Sequence, residues 1–502
     1  MKFTFCTLER PEQILTEKAD ALVIPLSEGG VREDVLLPLL DGLLGGSVRQ
    51  AIEDEQFTGK VTQSLTLHTL GKLGATRLSL LGIGSKPSGV LLADVRTWTA
   101  RAVRGAFVKA KRLVLCLGGV PADQAAAVGQ AVVEGALLST YQFDKYLSGE
   151  RKRRTAIEEV VVFLPSGVST EAAAIGGERG RIVSGGVMLA RDLVNEQPTE
   201  MCPRRLAAVA TQMAEQLGMG CSVLGVKECE ELGMGMLLGV GRGSLEEPRF
   251  IHLTYRPKAP PRRKVALVGK SVTFDSGGLS IKTTEGMLWM KMDMGGGAAV
   301  LGAIQAIAQL GCPDEVHVLL AAAENMPSGN AYKLGDVLRS MSGKTVEINN
   351  TDAEGRLTLG DALTYAVEKL GVDEIIDLAT LTGSSMVALG NHTGALFSNS
   401  DSLATRILDA SQVGGDDMWR MPLRDRLFDS LKSDIADMKN SGDRYGGSIS
   451  AALFLREFVG DKSWAHIDMA GPVHAEKDFG HVTKGASGFG VATLVELLSP
   501  RQ

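Results

Sequence analysis

The chain has 502 residues, too long for one hydrophobic core, so two domains are the expectation. Its 44% hydrophobic and 22% charged residues are ordinary for a soluble globular protein. The net charge of −6 gives no global pull toward nucleic acid or an anionic membrane. Six cysteines (Cys6, Cys116, Cys202, Cys221, Cys229, Cys312) are scattered without a C-x-x-C, which argues against a disulfide framework and a cysteine-type zinc site. The N-terminal MKFTFCTLERPEQ lacks the apolar core of a signal peptide, and no apolar stretch approaches membrane-spanning length. A reduced, cytoplasmic protein with no membrane partner is expected.

In chain order, strands are predicted at 2–7, 19–26, 64–70, 77–82, 113–118 and 160–165, with helices near 34–53, 90–110 and 121–147. This alternation implies βαβ units and a mostly parallel sheet. Residues 166–190 read as a connecting helix, so the boundaries expected are 1–165, 166–190 and 191–502. Beyond them, strands are predicted at 221–225, 249–255, 264–269, 315–323, 345–349, 374–379 and 464–470. Helices are predicted at 203–217, 296–310, 357–370, 402–412, 448–459 and 488–498.

The chemistry gathers in the second half. Asn349-Asn350-Thr351-Asp352-Ala353-Glu354-Gly355-Arg356 sets two carboxylates two positions apart. In an extended segment they share a side and repel each other unless a cation lies between them. On these eight residues a polar turn accounts for the pattern equally well. Upstream, the apolar run Val265–Gly269 reads as a buried parallel strand. Lys270 and Asp275 then fall just past its carboxyl end, where open α/β sheets place ligands. Lys282 follows, and Asp293 precedes a small-residue helix, where capping is the ordinary role. Three acid-bearing segments with glycine flanks look like a shared, oxygen-rich divalent metal site. Gly269-Lys270-Ser271 and Gly343-Lys344-Thr345 lack the earlier glycine of a P-loop, and no H-E-x-x-H or G-x-S-x-G is present. Pro87 stands where a third glycine would complete a dinucleotide fingerprint after Gly82 and Gly84. His466, in a strand-like run, reads as a core residue. The basic runs 151–154 and 261–264 read as solvated surface, with phosphate contact as the minority view.

The strings VGKSVTFDSGG, KMDMGGGAAVLGA and NNTDAEGRL resemble those of the leucyl (cytosol) aminopeptidases, in layout the bacterial aminopeptidase A branch. The segments at 189–196, 379–383 and 464–471 also follow family order. The resemblance implies an α/β fold: a smaller N-terminal domain and a larger catalytic domain with a mixed, mostly parallel sheet covered by helices. It implies a homohexamer and a two-metal aminopeptidase, with Mn2+ or Zn2+, that releases leucine-like N-terminal residues from peptides. By this resemblance Lys270, Asp275, Asp293, Asp352 and Glu354 ligate the ions. Lys282 faces the developing oxyanion, and Arg356 holds a bicarbonate acting as general base. Met290, Thr380, Leu381, Gly383, Ala470 and Val473 line the pocket for the first side chain. DNA binding as an accessory factor, known among some bacterial relatives, stays as the alternative.

Overall fold

The computed structural model describes residues 1–85, 92–106, 110–149, 152 and 157–499. The charged run at 150–154, except Lys152, and Pro87 lie outside the described residues. Two compact units emerge: Met1–Ser184 with Asp478–Thr483, and Gly185–Lys477 with Lys484–Gln502. Helix Thr170–Asn195 carries the division. Segment 478–483 joins the first unit by hydrogen bonds that no sequence pattern announces: Arg104 donates to the carbonyls of Gly480 (2.6 Å) and Val482 (2.9 Å).

In the first unit Lys2–Leu8 (β1), Ala21–Leu26 (β2), Ser64–His68 (β3), Arg77–Gly82 (β4), Arg112–Cys116 (β5) and Glu159–Pro165 (β6) form one sheet in the order β1-β6-β5-β2-β4-β3. Its neighbours are parallel except β3 and β4. β2, β5 and β6 are almost continuous apolar runs, as strands covered on both faces must be.

The second unit contains Gly220–Leu224 (β7), Arg249–Tyr255 (β8), Lys264–Asp275 (β9), Glu315–Asn325 (β10), Val337–Arg339 (β11), Thr345–Glu347 (β12), Glu374–Ala379 (β13), Gly394–Ser398 (β14), Met418–Arg420 (β15), Met438–Lys439 (β16) and Ser463–Asp468 (β17). The large sheet runs β15-β14-β17-β13-β9-β10-β8-β7, and a small one β11-β12-β16. At the centre β17, β13, β9 and β10 are parallel; β14, β8 and β7 are attached antiparallel. β14 was not expected from sequence: all five residues of GALFS are buried, too short a run to show alternation.

The central strand is longer than expected. Instead of ending at Gly269, β9 continues through Asp275, so Lys270 lies within the strand. Its pairing with β13 stops at Gly269, while pairing with β10 continues to Asn325. The last six residues of β9 therefore project past the end of β13 and open one side of the strand. Helix Gly295–Leu310 presses on this region because its glycines remove side-chain bulk. A Cβ on Gly296 would lie 2.0 Å from the Leu378 carbonyl oxygen, and one on Gly269 would lie 2.5 Å from Gly297 Cα. Helix Gly355–Tyr365 extends as a π-helical turn, Ala366–Leu370, and Gly371 ends it at φ 59°.

Candidate metal centre

Four segments supply the site. The overhanging end of β9 brings Lys270 and Asp275. A tight loop after it, with Gly277 at φ 85° and Gly278 at φ 61°, turns the chain back to Lys282. The 3-10 turn Met290–Met294 brings Asp293, and the loop after β12 brings Asp352 and Glu354. Thr351 locks two of these segments together. Its Oγ1 donates to the Gly277 carbonyl (2.7 Å) and accepts from the Ser280 N–H (2.7 Å).

Oxygens of Asp275, Asp293 and Glu354 all lie within 4.8 Å of one another, and all three residues are buried. The Lys270 ammonium stands among them, 2.7 Å from Asp293 Oδ1 and 2.9 Å from Glu354 Oε1, and its third bond goes to the Thr380 carbonyl at 3.0 Å. Thr380 Oγ1 donates to the same oxygen, Asp293 Oδ1 (2.7 Å). Lys282 Nζ lies 2.8 Å from Asp275 Oδ2 and also touches Asp352.

Two expectations change here. Asp352 and Glu354 do not share one side of an extended segment: Asp352 lies in a turn, and Glu354 is already helical (φ −77°, ψ −36°) as the N-cap of helix Gly355–Tyr365. Asp352 accordingly stands outside the close trio and reaches it through Lys282. Asp293 does not cap the helix it precedes; its carboxylate is taken by Lys270 and Thr380.

Charge is badly balanced. Burial pushes the Asp293 carboxyl well above its ordinary range; Lys270 opposes this, while Glu354 and Asp275 add to it. Asp275 and Asp352 are raised by burial and by neighbouring carboxylates, against the lysines. Burial pulls the Lys270 and Lys282 ammoniums down, but the surrounding carboxylates outweigh it and hold both above the usual lysine value. Asp293 Oδ2 and Glu354 Oε2 are buried without a hydrogen-bond partner. Unsatisfied, inward-facing carboxylate oxygens in a cluster short of positive charge fit a divalent cation.

Arg356 is buried beside the cluster. One guanidinium nitrogen donates to the Asn440 carbonyl (2.9 Å), Nε has no partner, and it makes no ion pair among the described residues. Burial lowers its pKa to about 10, opposed by Glu354 and Asp468.

Of the expected pocket residues, Thr380 and Val473 converge on Gly295: their γ-methyls lie 3.5 and 2.5 Å from where a Cβ there would sit. Leu381 and Ala470 are joined through Asp468, whose Oδ1 accepts both of their N–H groups at 3.1 Å. Met290 opens the turn that carries Asp293. Gly383 is exposed and opens helix Gly383–Leu389, whose N-cap Thr382 also bonds Asp468. His466 lies in the core, 2.5 Å from Asp377. Arg262 and Arg263 are ion-paired with Asp314.

Sequence reasoning missed Asn440, Asn325, Tyr332 and Asp468. Asn440 clasps the signature loop, donating to the Asn350 carbonyl (2.6 Å) and accepting from the Asn349 N–H (3.0 Å). Its distance in sequence from that loop left no signal. Asn325, at the polar end of an apolar strand, could have been flagged as a ligand-side residue.

A family model described as the cytosol aminopeptidase family, catalytic domain, matches residues 188–495, and that family's N-terminal domain matches residues 23–150. A probable cytosol aminopeptidase of Synechococcus sp. (strain JA-3-3Ab) is 45% identical, over 98% of this chain and 98% of its own. One of Microcystis aeruginosa (strain NIES-843 / IAM M-2473) is 44% identical, over 96% and 97%. Among solved structures, a tomato leucine aminopeptidase mutant aligns with TM-score 0.90 at 34% identity, over 100% of this chain and 97% of that one. The bottromycin maturation enzyme BotP in complex with Mn aligns at 0.84 and 36%, over 96% and 99%. The chain therefore belongs to the cytosol aminopeptidase family, a family of metal-dependent aminopeptidases, with both of its domains and their α/β architecture.

Proposed function

We propose that this chain removes leucine-like and other apolar N-terminal residues from peptides at a site holding two divalent ions. The observation that carries the reading is the buried trio Asp275, Asp293 and Glu354, with unpartnered oxygens on two of its members. Lys270, Asp275, Asp293, Asp352 and Glu354 are the proposed ligands, with Mn2+ or Zn2+ as the ions. Such a pair of ions supplies an activated water and stabilises the charge built up at the scissile carbonyl. Lys270 can serve as a ligand only as the neutral amine, so the ionic charge must drive off the proton that the carboxylates now retain.

Lys282 reaches the cluster from the loop after β9, and its ammonium is suited to receive the oxyanion. Arg356 has a buried unpartnered Nε and sits in the first turn of helix Gly355–Tyr365, where N–H groups and the dipole favour an anion. A bicarbonate held there is the proposed general base. The free amine of the substrate is anchored beside Asp293, and its first side chain lies among Met290, Thr380, Leu381, Gly383, Ala470 and Val473. The family likeness also underlies a cytoplasmic homohexamer. The division into 1–165, 166–190 and 191–502 rests on the residue pattern, and the compact units differ from it, with helix Thr170–Asn195 running later than 166–190 and 478–483 grouped with the first unit.

The test is hydrolysis of a leucine chromogenic amide by metal-stripped protein, with Mn2+ and Zn2+ added back and an N-acetylated substrate beside it. Cleavage restored by metal for the free amine alone is expected, and Glu354→Ala should abolish it. Equal cleavage of the acetylated substrate would remove the amine anchor. Activity retained in Glu354→Ala would remove the metal assignment.

A further inference from the structure

Asn325 ends β10 with no exposed surface. Its carboxamide meets two oxygens at once: Nδ2 donates to Asp275 Oδ1 (2.7 Å) and to the Thr351 carbonyl (2.9 Å). Both partners are acceptors, so the nitrogen, not the oxygen, must face them. The Asn325 main-chain carbonyl in turn accepts from the N–H (3.0 Å) and Oγ (2.7 Å) of Ser276. One residue thus joins the end of β9, the end of β10 and the loop that bears Asp352 and Glu354.

A β-bulge creates this meeting. Ala323 pairs with Val272, but Glu324 pairs with Phe274, so β9 has one extra residue at Thr273. Without that shift Asn325 would oppose Phe274. With it, Asn325 falls opposite Asp275.

The consequence is directional. Asp275 Oδ1 is occupied by Asn325 Nδ2 and by the Gly277 N–H (2.8 Å), which leaves Oδ2 turned toward Lys282 and the cluster. The Thr351 carbonyl has a second buried donor, Tyr332 Oη, at 2.7 Å. Tyr332 holds the loop but makes no bond to Asp275, so nature supplies an internal control.

We propose that Asn325 is a positioning residue for the metal centre: its bond to Asp275 Oδ1 sets the rotamer of that carboxylate, whereas its bond to the Thr351 carbonyl is a hold on the loop that Tyr332 shares. This rests on the metal reading above. Outer-shell hydrogen bonds to metal-ligating carboxylates typically matter about 10- to 100-fold in metal affinity.

The experiment is calorimetric titration of Mn2+ into the metal-stripped full chain, with the metal-free melting temperature recorded for each variant. Asn325→Leu keeps the branching at Cγ and removes both donors; it should bind Mn2+ about 10- to 100-fold more weakly than wild type. Tyr332→Phe should stay within about threefold of wild type, even where its metal-free melting temperature falls as far as that of the leucine variant. If Asn325→Leu does not fold, Asn325→Ser, whose hydroxyl can reach at most one of the two acceptors, is read the same way. Affinity in the folded Asn325 variant within about threefold of wild type overturns the inference, since the residue then only stabilises the fold. Equal losses in both variants overturn it too, because the Thr351 carbonyl alone would account for them. Failure of the metal reading shows separately: wild type would bind no Mn2+, or binding would survive Glu354→Ala.

Discussion

Gly355 illustrates how a single side chain's absence shapes the centre. A Cβ there would lie 2.4 Å from Lys270 Cε, so the glycine after Glu354 gives the lysine stem its passage to the carboxylates. Lys282 reaches the same cluster from a loop and is less enclosed than Lys270, with 17% of its side chain exposed against 4%. That difference separates a group that can meet substrate from one built into the framework. Lys282→Met should lower kcat about 10²- to 10³-fold, the range for losing one preorganised oxyanion donor. Mn2+ should bind at least as tightly, because a cation that competes for Asp275 and Asp352 has gone. Steady-state kinetics beside a Mn2+ titration check this; joint loss of activity and affinity would make Lys282 part of the framework. At this scale the residue types were legible, because carboxylates and lysines near glycines have few other uses in a buried place. Their sharing of one site was legible too; the side that Glu354 faces was not, because the local rule that i and i+2 share a side holds only for extended chain, and Glu354 is helical.

Among the elements, helix Gly235–Gly241 depends on a residue far along the chain. Its own N-cap, Met234, makes no side-chain cap, and its first N–H groups are satisfied by Asp361 from helix Gly355–Tyr365. Asp361 Oδ2 accepts from Met236 (3.0 Å) and Leu237 (2.9 Å), while Oδ1 accepts from Met341 (2.8 Å). Burial raises its pKa to about 7, against the three N–H donors. Asp361→Asn leaves one acceptor oxygen for three donors and turns an NH2 toward at least one of them. A loss of about 3 kcal/mol is expected, measurable as a fall in unfolding midpoint at constant slope. A change under about 0.5 kcal/mol would show that the helix end needs no such cap. Regular elements were readable where apolar runs were long, as in β9, β10, β13 and helix Gly295–Leu310. The short ones, β11, β14, β15 and β16, were not, since two to five residues are too few to establish a period. The true end of β9 was also hidden, because its last six residues are held by β10 alone.

For the molecule as a whole, acid sensitivity has a source away from the metal centre. His252 and His317 share a hydrogen bond (2.9 Å) between β8 and β10. Thr254 lies 3.2 and 3.4 Å from their ring nitrogens, and Glu315 is 3.0 Å from His317. Burial, the His317 ring and Arg256 depress His252 to about 4; burial, Lys264 and Arg256 lower His317 despite Glu315. The ordinary value is 6.5, so between about pH 4 and 6.5 the unfolded chain binds more protons at His252 than the folded one. The contribution of His252 to stability therefore rises with pH through that window and is lost as pH falls through it. His252→Gln should reduce proton uptake on unfolding there by up to about one proton, read from the pH dependence of the unfolding free energy. An unchanged slope would place the acid sensitivity elsewhere. No described helix is long and apolar enough to cross a membrane, and the six cysteines are free.

The chain's own residues determined the family, the α/β class and the chemical type of the centre, because these depend on local strings: apolar runs, glycines beside acids, and a signature that packs both into eight positions. What only the tertiary structure decided was which oxygens meet. The trio of Asp275, Asp293 and Glu354, the separation of Asp352 from it, and the clasp by Asn325 and Asn440 all depend on contacts across tens of residues. A bulge at Thr273, an overhang of six residues and glycines that let a helix touch a strand set those contacts. Each shifts a side chain by one register step or a few ångströms, a scale that side-chain periodicity along one segment cannot record.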